Sequence, residues 1–74
     1  MDIFTIEEQN LMYVFDTSTR ERLIIDIRMA LPYVTNQELK SIMLTIIQKL
    51  EMIDDVTFDR LPLDFMDYDD IKNN

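Results

Sequence analysis

The sequence predicts an all-α protein: a small three-helix bundle with a short fourth closing helix and a flexible acidic C-terminal tail. Three observations lead to this fold class. Apolar residues recur at spacings of three and four, as on one face of a helix. The helical stretches begin with residues that can cap a helix, and no alternating run bounded by turn residues indicates a strand. At 74 residues, one domain is expected, with a helical part over residues 1–61 and the acidic tail over residues 62–74.

The longest helical period lies in residues 35–53, and we expect this helix to be the centre of the bundle. Thr35 and Glu38 fit a capping box, in which each side chain bonds the backbone amide of the other residue. Val34 and Leu39 flank the cap in positions that suit a hydrophobic staple. The predicted inner stripe consists of Leu39, Ile42, Met43, Ile46, Leu50 and Ile53.

Two further helices are predicted before the central one. Thr5 and Glu8 fit a capping box that opens a helix ending at about residue 15. After a polar break, Ser18 and Glu21 fit another box and open a helix over residues 19–31, which Pro32 ends. The inward residues are predicted to be Leu11, Met12, Val14 and Phe15 in the first helix, and Leu23, Ile24, Ile27, Ala30 and Leu31 in the second.

The closing helix is predicted over residues 55–61. Asp54 can cap it, Phe58 would cover the end of the core, and Pro62 ends it. The short connections between the helices favour antiparallel neighbours. The tail after the closing helix contains four aspartates and no sustained apolar period, so we expect this tail to be flexible.

Composition excludes several classes of function. The chain has no cysteine and no histidine, which removes disulfides and the common zinc sites. It has no glycine, and so lacks the loops that cradle nucleotide phosphates. The net charge of −8 should repel nucleic acids and anionic membranes. The acidic start MDIFTIEEQN does not resemble a secretory signal. We therefore expect a cytoplasmic, soluble protein without a cofactor, a metal, a small-molecule ligand or direct contact with nucleic acid or membrane.

No residue pattern indicates catalysis. Ser18 suits a helix cap better than a nucleophile, because no histidine is present to activate it. The paired acids, such as those at residues 54–55, suit caps and helix starts. The aspartates of the tail lack the glycine and the closing glutamate of a calcium loop. We expect no catalytic residues.

Three apolar residues fall outside the predicted inner stripes. Ile25 and Met29 lie four residues apart on the far side of the second helix, and Leu44 lies opposite the stripe of the central helix. Two interpretations are open for the first pair. Either it faces the first helix within the bundle, or it is exposed and forms a partner or dimer surface.

The chain also resembles a known family in three stretches: TIEEQNLMYVFDTSTRERLI, the link through Pro32 to Thr35 with the following helix, and MIDDVTFDRL. It is similar to the putative transposon-transfer assisting proteins, small acidic proteins encoded in integrative conjugative elements. The most specific matches are Glu8, Asn10, Leu11, Asp16, Thr17, Ser18, Arg20, Leu23 and Ile24. The resemblance leads us to expect an acidic residue where this chain has Thr57, so the cap of its closing helix should be weaker.

The resemblance implies a helical domain associated with conjugative transfer, and it supplies no catalytic residues. Asn10 and Arg20 are polar members of the matching pattern, and so are candidates for a role beyond packing. Their alternative roles are local: Asn10 as a surface residue, and Arg20 as the ion-pair partner of Asp16 or Glu21.

These observations leave two candidate functions. The first is a non-enzymatic protein-interaction module that assists transfer or maintenance of a conjugative transposon by binding another protein of the element. The candidate partner surface is Asn10, Arg20, Ile25, Met29 and Leu44. The second is an acidic DNA mimic that binds a basic DNA-binding protein. The net charge favours it, but the neutral middle of the chain, residues 16–53, opposes it.

Overall fold

The computed structural model of the chain describes residues 3–61, and within that range every regular element is a helix. The predicted all-α fold with three main helices and a short closing helix is confirmed. The flexible tail predicted over residues 62–74 lies outside the described residues. In chain order the elements are α1 (Ile6–Met12), α2 (Arg20–Ala30), a 3-10 turn (Leu31–Tyr33), α3 (Gln37–Met52) and α4 (Asp55–Asp59).

Two of the predicted helix starts are confirmed. At α1, the Thr5 hydroxyl accepts from the Glu8 amide at 3.1 Å, and the Glu8 carboxylate accepts from the Thr5 amide at 3.0 Å. At α4, a carboxylate oxygen of Asp54 accepts from the Thr57 amide at 2.8 Å. Thr57 stands where an acid would complete a capping box, so α4 begins with one side-chain bond of this kind instead of two.

The predicted caps of α2 and α3 are wrong by one residue each. Thr19, and not Ser18, caps α2 by accepting from the Arg22 amide. A box at Ser18 would need the Ser18 amide for Glu21, but that amide donates to Asp16 instead. Asn36, and not Thr35, caps α3 by accepting from the Leu39 amide at 2.9 Å. Asparagine is the stronger cap of these two neighbours.

The helices also end earlier than predicted. α1 ends at Met12 and not near residue 15, because the amides of Val14 and Phe15 donate three residues back, as in a tighter turn. α4 ends at Asp59 in the same way, with the Leu61 amide donating to the Phe58 carbonyl. α2 runs into the 3-10 turn that contains Pro32.

The core lies around α3, which packs against both α1 and α2, while α4 packs against α2. The predicted inner stripes of α2 and α3 are confirmed. Phe4 and Ile47 are buried without having been predicted, and Val14 was predicted to face inward but is 74% exposed. Phe58 covers the core, as predicted. The buried apolar residues are Phe4, Met12, Leu23, Ile27, Met43, Ile46, Ile47, Leu50 and Phe58.

Candidate interaction surface

The outer side of α1 presents apolar residues around Asn10. Ile6, Asn10 and Tyr13 follow one another at spacings of four and three, so they share one side of the helix. Ile6 is 77% exposed, and Val14 in the turn after the helix is 74% exposed. Asn10 is exposed as well. We call Ile6, Asn10, Tyr13 and Val14 the α1 face.

The opposite side of α1 is held to the core by an ion pair. Glu8 is 8% exposed, and its carboxylate accepts from the Lys49 ammonium on α3 at 2.7 Å. The same ammonium lies 5.7 Å from the centre of the Phe4 ring, within the range of a cation–π interaction. The Gln9 amide group donates to the Phe4 carbonyl at 3.2 Å. These contacts fix the rotation of α1, and therefore which residues face outward.

Burial raises the pKa of Glu8, but hydrogen bonds from Lys49 and from the Thr5 amide, together with the Lys49 charge, outweigh it and leave that pKa lowered. The pKa of Asp16 is lowered by its hydrogen bonds with Ser18, and that of Asp54 by its hydrogen bonds with Thr57. A general acid or base works best with a pKa near the operating pH. These three carboxylates are therefore shifted away from that role, and each accepts a bond that shapes the fold.

Arg20 joins the beginning of α2 to the ends of two other helices. Its Nε donates to the Asp55 carboxylate at 2.9 Å, and its Nη1 donates to the Leu50 carbonyl, in the last turn of α3, at 3.0 Å. Neither predicted local partner, Asp16 or Glu21, pairs with it. A cavity of about 330 Å³ lies beside this contact, lined by Thr19, Arg20, Glu21, Asp55 and Asp59. The side chain of Arg20 therefore has a structural role, which is to hold α2 against α3 and α4.

Ile25 and Met29 lie on the outer side of α2, opposite the buried Leu23 and Ile27. They are 41% and 67% exposed, which decides between the two interpretations of the sequence: the pair faces solvent. Leu44 is 48% exposed on the outer side of α3. Its neighbours one turn away on that side are Ser41 and Gln48, so it stands alone among polar residues.

The five predicted surface residues therefore do not form one surface. Asn10, the pair Ile25 and Met29, and Leu44 lie on the outer sides of three different helices, and Arg20 is directed to α3 and α4. The predicted partner surface left out the apolar neighbours of Asn10, although the predicted inward side of the first helix already placed them on its other side. Their spacing in the sequence could have revealed them, because Ile6 and Tyr13 lie four residues before and three residues after Asn10.

Residues 3–61 form neither a cluster of metal ligands nor a membrane-spanning helix. No group of three or more acidic side chains in this range converges so that it could hold a metal ion. None of its helices combines the length and the apolar character that a bilayer crossing requires. The aspartates considered for calcium lie in the tail, outside the described residues.

Comparison with known proteins identifies the family. Neither the search of curated proteins nor the search of solved structures finds a significant match. A family model described as putative transposon-transfer assisting protein matches residues 4–64, and so covers α1 through α4. The match includes all the stretches that carried the resemblance. The chain belongs to the family of putative transposon-transfer assisting proteins.

Proposed function

We propose that this protein is a non-enzymatic interaction module, acting in the cytoplasm, that assists transfer or maintenance of a conjugative transposon by binding another protein of the same element. The observation that carries the proposal is the α1 face. It places three apolar side chains around a polar one on the outer side of a helix whose inner side is fixed to the core.

The α1 face suits protein binding in its chemistry. Ile6 and Val14 remain mostly in water in the free protein, so a partner that covers them gains the free energy of apolar burial. Asn10 lies between them along the helix, and its amide offers two donors and an acceptor. A polar group at the centre of an apolar contact sets the register of the partner, because a misplaced partner would leave the amide unsatisfied.

The negative charge of the chain favours a partner with basic residues. The chain carries −8 overall, and residues 1–15 contain three acids and no base. Direct binding to nucleic acid would place these charges against phosphates. A protein with basic residues around an apolar patch fits both the charge and the exposed side chains of α1.

The composition and the carboxylates support a role without catalysis. The chain has neither histidine nor cysteine, and the pKa values of Glu8, Asp16 and Asp54 are lowered by bonds that serve the fold. The family description speaks of assistance and names no reaction.

The alternative, an acidic DNA mimic, is less well supported by the placement of the charges. A mimic should present rows of free carboxylates in place of phosphates. At least five of the ten acidic residues between positions 3 and 61 are instead in ion pairs with basic side chains: Glu8, Asp16, Asp26, Glu51 and Asp55. Their fields are partly cancelled at the surface.

The proposal is tested with two matched double variants in donor cells that carry the element. I6Q/V14T makes the α1 face polar, whereas M52Q/V56T makes the same kind of change on α3 and α4, where Met52 and Val56 are also exposed. Tagged forms of each are used to recover bound element-encoded proteins, and transfer frequency is measured in parallel. We expect I6Q/V14T to weaken the complex about 30-fold, for a loss of roughly 2 kcal/mol of burial energy, and to lower transfer.

The control variant should bind and transfer like the unmodified protein. If both double variants recover the same element-encoded protein as well as the unmodified chain does, the α1 face is not the binding surface. If an acidic surface acts as a DNA mimic, the recovered protein will bind DNA in competition with this chain, and the competition will weaken steeply with salt.

A further inference from the structure

The outer side of α2 carries a second apolar strip that the α1 face does not include. It consists of Ile25 and Met29, one helical turn apart, and we call this pair the α2 strip. Arg22 lies one turn before Ile25, and Arg28 lies beside Met29. The side chains of both arginines are more than half exposed. The strip is therefore apolar, and its borders carry these two arginines together with Glu21, one turn before Ile25, and Asp26, which lies 4.0 Å from Arg22.

Both arginines have N–H donors beyond those used in their ion pairs. Arg22 lies 4.0 Å from Asp16 and from Asp26, at the limit of an ion pair. Arg28 pairs with Glu51 through one of its terminal nitrogens. A guanidinium has five N–H donors in a planar fork, so each can accept a further carboxylate. A complementary occupant would combine apolar side chains with acidic ones.

The chain supplies such a segment itself. Residues 62–74 contain four aspartates and a single lysine. Five large apolar residues are interspersed with them: Leu63, Phe65, Met66, Tyr68 and Ile71. The composition is the complement of the α2 strip, with acids for its arginines and apolar residues for Ile25 and Met29.

The segment also starts in the right place. α4 packs against α2, and Asp55 in its first turn is bound to Arg20 at the beginning of α2. Asp59, near the end of α4, lines the same cavity as Arg20 and Glu21. From Glu21, Ile25 is about 6 Å and Met29 about 12 Å along the helix axis, at 1.5 Å per residue. Thirteen residues can extend about 43 Å, which is ample for this path.

We propose that residues 62–74 dock along the outer side of α2, with apolar side chains on the α2 strip and aspartates at Arg22 and Arg28. A second copy of the chain is the poorer occupant, because two molecules of charge −8 repel each other. The docked segment covers the α2 strip, which lies on a different helix from Ile6 and Asn10. This inference does not depend on the proposed function, since the two surfaces lie on different helices.

The full chain, with labelled isoleucine and methionine methyl groups, tests the proposal by NMR. We expect nuclear Overhauser contacts from the methyl groups of Ile25 and Met29 to the ring protons of Phe65 and Tyr68. The methyl groups of Ile6, which is also exposed to solvent but lies on α1, are the internal control and should show none. The contacts should be unchanged on dilution, because they are intramolecular.

The variant D64N/D67N/D69N/D70N removes the acidic charge of the segment and changes no residue of the helices. Its contacts should weaken about threefold or more at low salt, in keeping with the modest strength of surface ion pairs. Absence of contacts to Phe65 and Tyr68 in the unmodified chain overturns the proposal. Contacts that grow with protein concentration overturn it as well, and assign the α2 strip to a second copy.

Discussion

The ion pair between Glu8 and Lys49 should be among the most important polar contacts for stability, and Lys49→Met tests it. Methionine keeps the length and the apolar stem that packs near Phe4, but it removes the charge. The Glu8 side chain is 10% exposed, and within residues 3–61 its carboxylate is then left with the Thr5 amide, 3.0 Å away, as its hydrogen-bond donor. Breaking a fully buried pair costs about 3–5 kcal/mol, and the remaining bond and exposure reduce that cost. We expect a loss of about 2–3 kcal/mol.

The assay is urea unfolding followed by the helical circular dichroism signal at neutral pH, with Lys40→Met as the matched control. Lys40 is on the same helix, is partly buried, and makes no ion pair with any residue of the described range. Its substitution should change the free energy of unfolding by less than about 0.5 kcal/mol. A loss of about 2–3 kcal/mol is a large share of the roughly 4–11 kcal/mol expected for a chain of this length.

The pH dependence gives an independent check. The pKa of Glu8 is lowered in the folded protein from its ordinary value of 4.5. Its ionised form therefore contributes stability that is present above pH 4.5 and is lost as the pH falls through the folded-state pKa. The difference in unfolding free energy between the unmodified protein and Lys49→Met should shrink over that range, because protonated Glu8 no longer needs the ammonium. A difference that is absent at neutral pH, or that stays constant under acid, would refute the reasoning.

Three further substitutions test other contacts by the same unfolding assay. Arg20→Gln should cost about 1–2 kcal/mol, because it removes bonds to two other helices, whereas Arg22→Gln should cost less than about 0.5 kcal/mol; equal effects would contradict the special position of Arg20. Asn36→Ala should cost about 1 kcal/mol and Thr35→Ala much less, and the reverse order would restore the cap predicted from the sequence. Phe58→Leu should cost about 1 kcal/mol by leaving space at the end of the core, and no change would show that α4 does not seal it.

The sequence predicted the helices well because their signals are local. The inner stripes of α2 and α3 depend on spacing along one helix, and the caps at Thr5 and Asp54 depend on residues three apart. The errors at Ser18 and Thr35 are also local. In each case the neighbouring residue could cap as well. At Ser18 the bond from its amide to Asp16 excludes the predicted box, and at Thr35 the neighbour Asn36 is the stronger cap.

The contacts that fix one helix against another could not be predicted in the same way. Glu8 and Lys49 are 41 residues apart, and Arg20 and Asp55 are 35 apart. Each of these residues has nearer residues of opposite charge in the sequence, so no local rule selects the pair. The burial of Ile47 could not be predicted from local spacing either. Because α3 packs against both α1 and α2, its buried side is wider than a single stripe, and the sequence does not say how many neighbours a helix has.

These long-range contacts also change how the family resemblance points to function. Among its most specific residues, Glu8 caps α1 and binds Lys49, Asp16 shapes the turn before α2, and Arg20 joins three helices. Each of them is explained by the fold. Asn10 is the exception, since it is exposed and its side chain makes no hydrogen bond within the described range. A polar residue that the fold does not use, set among exposed apolar residues, marks the surface on which the proposed partner would bind.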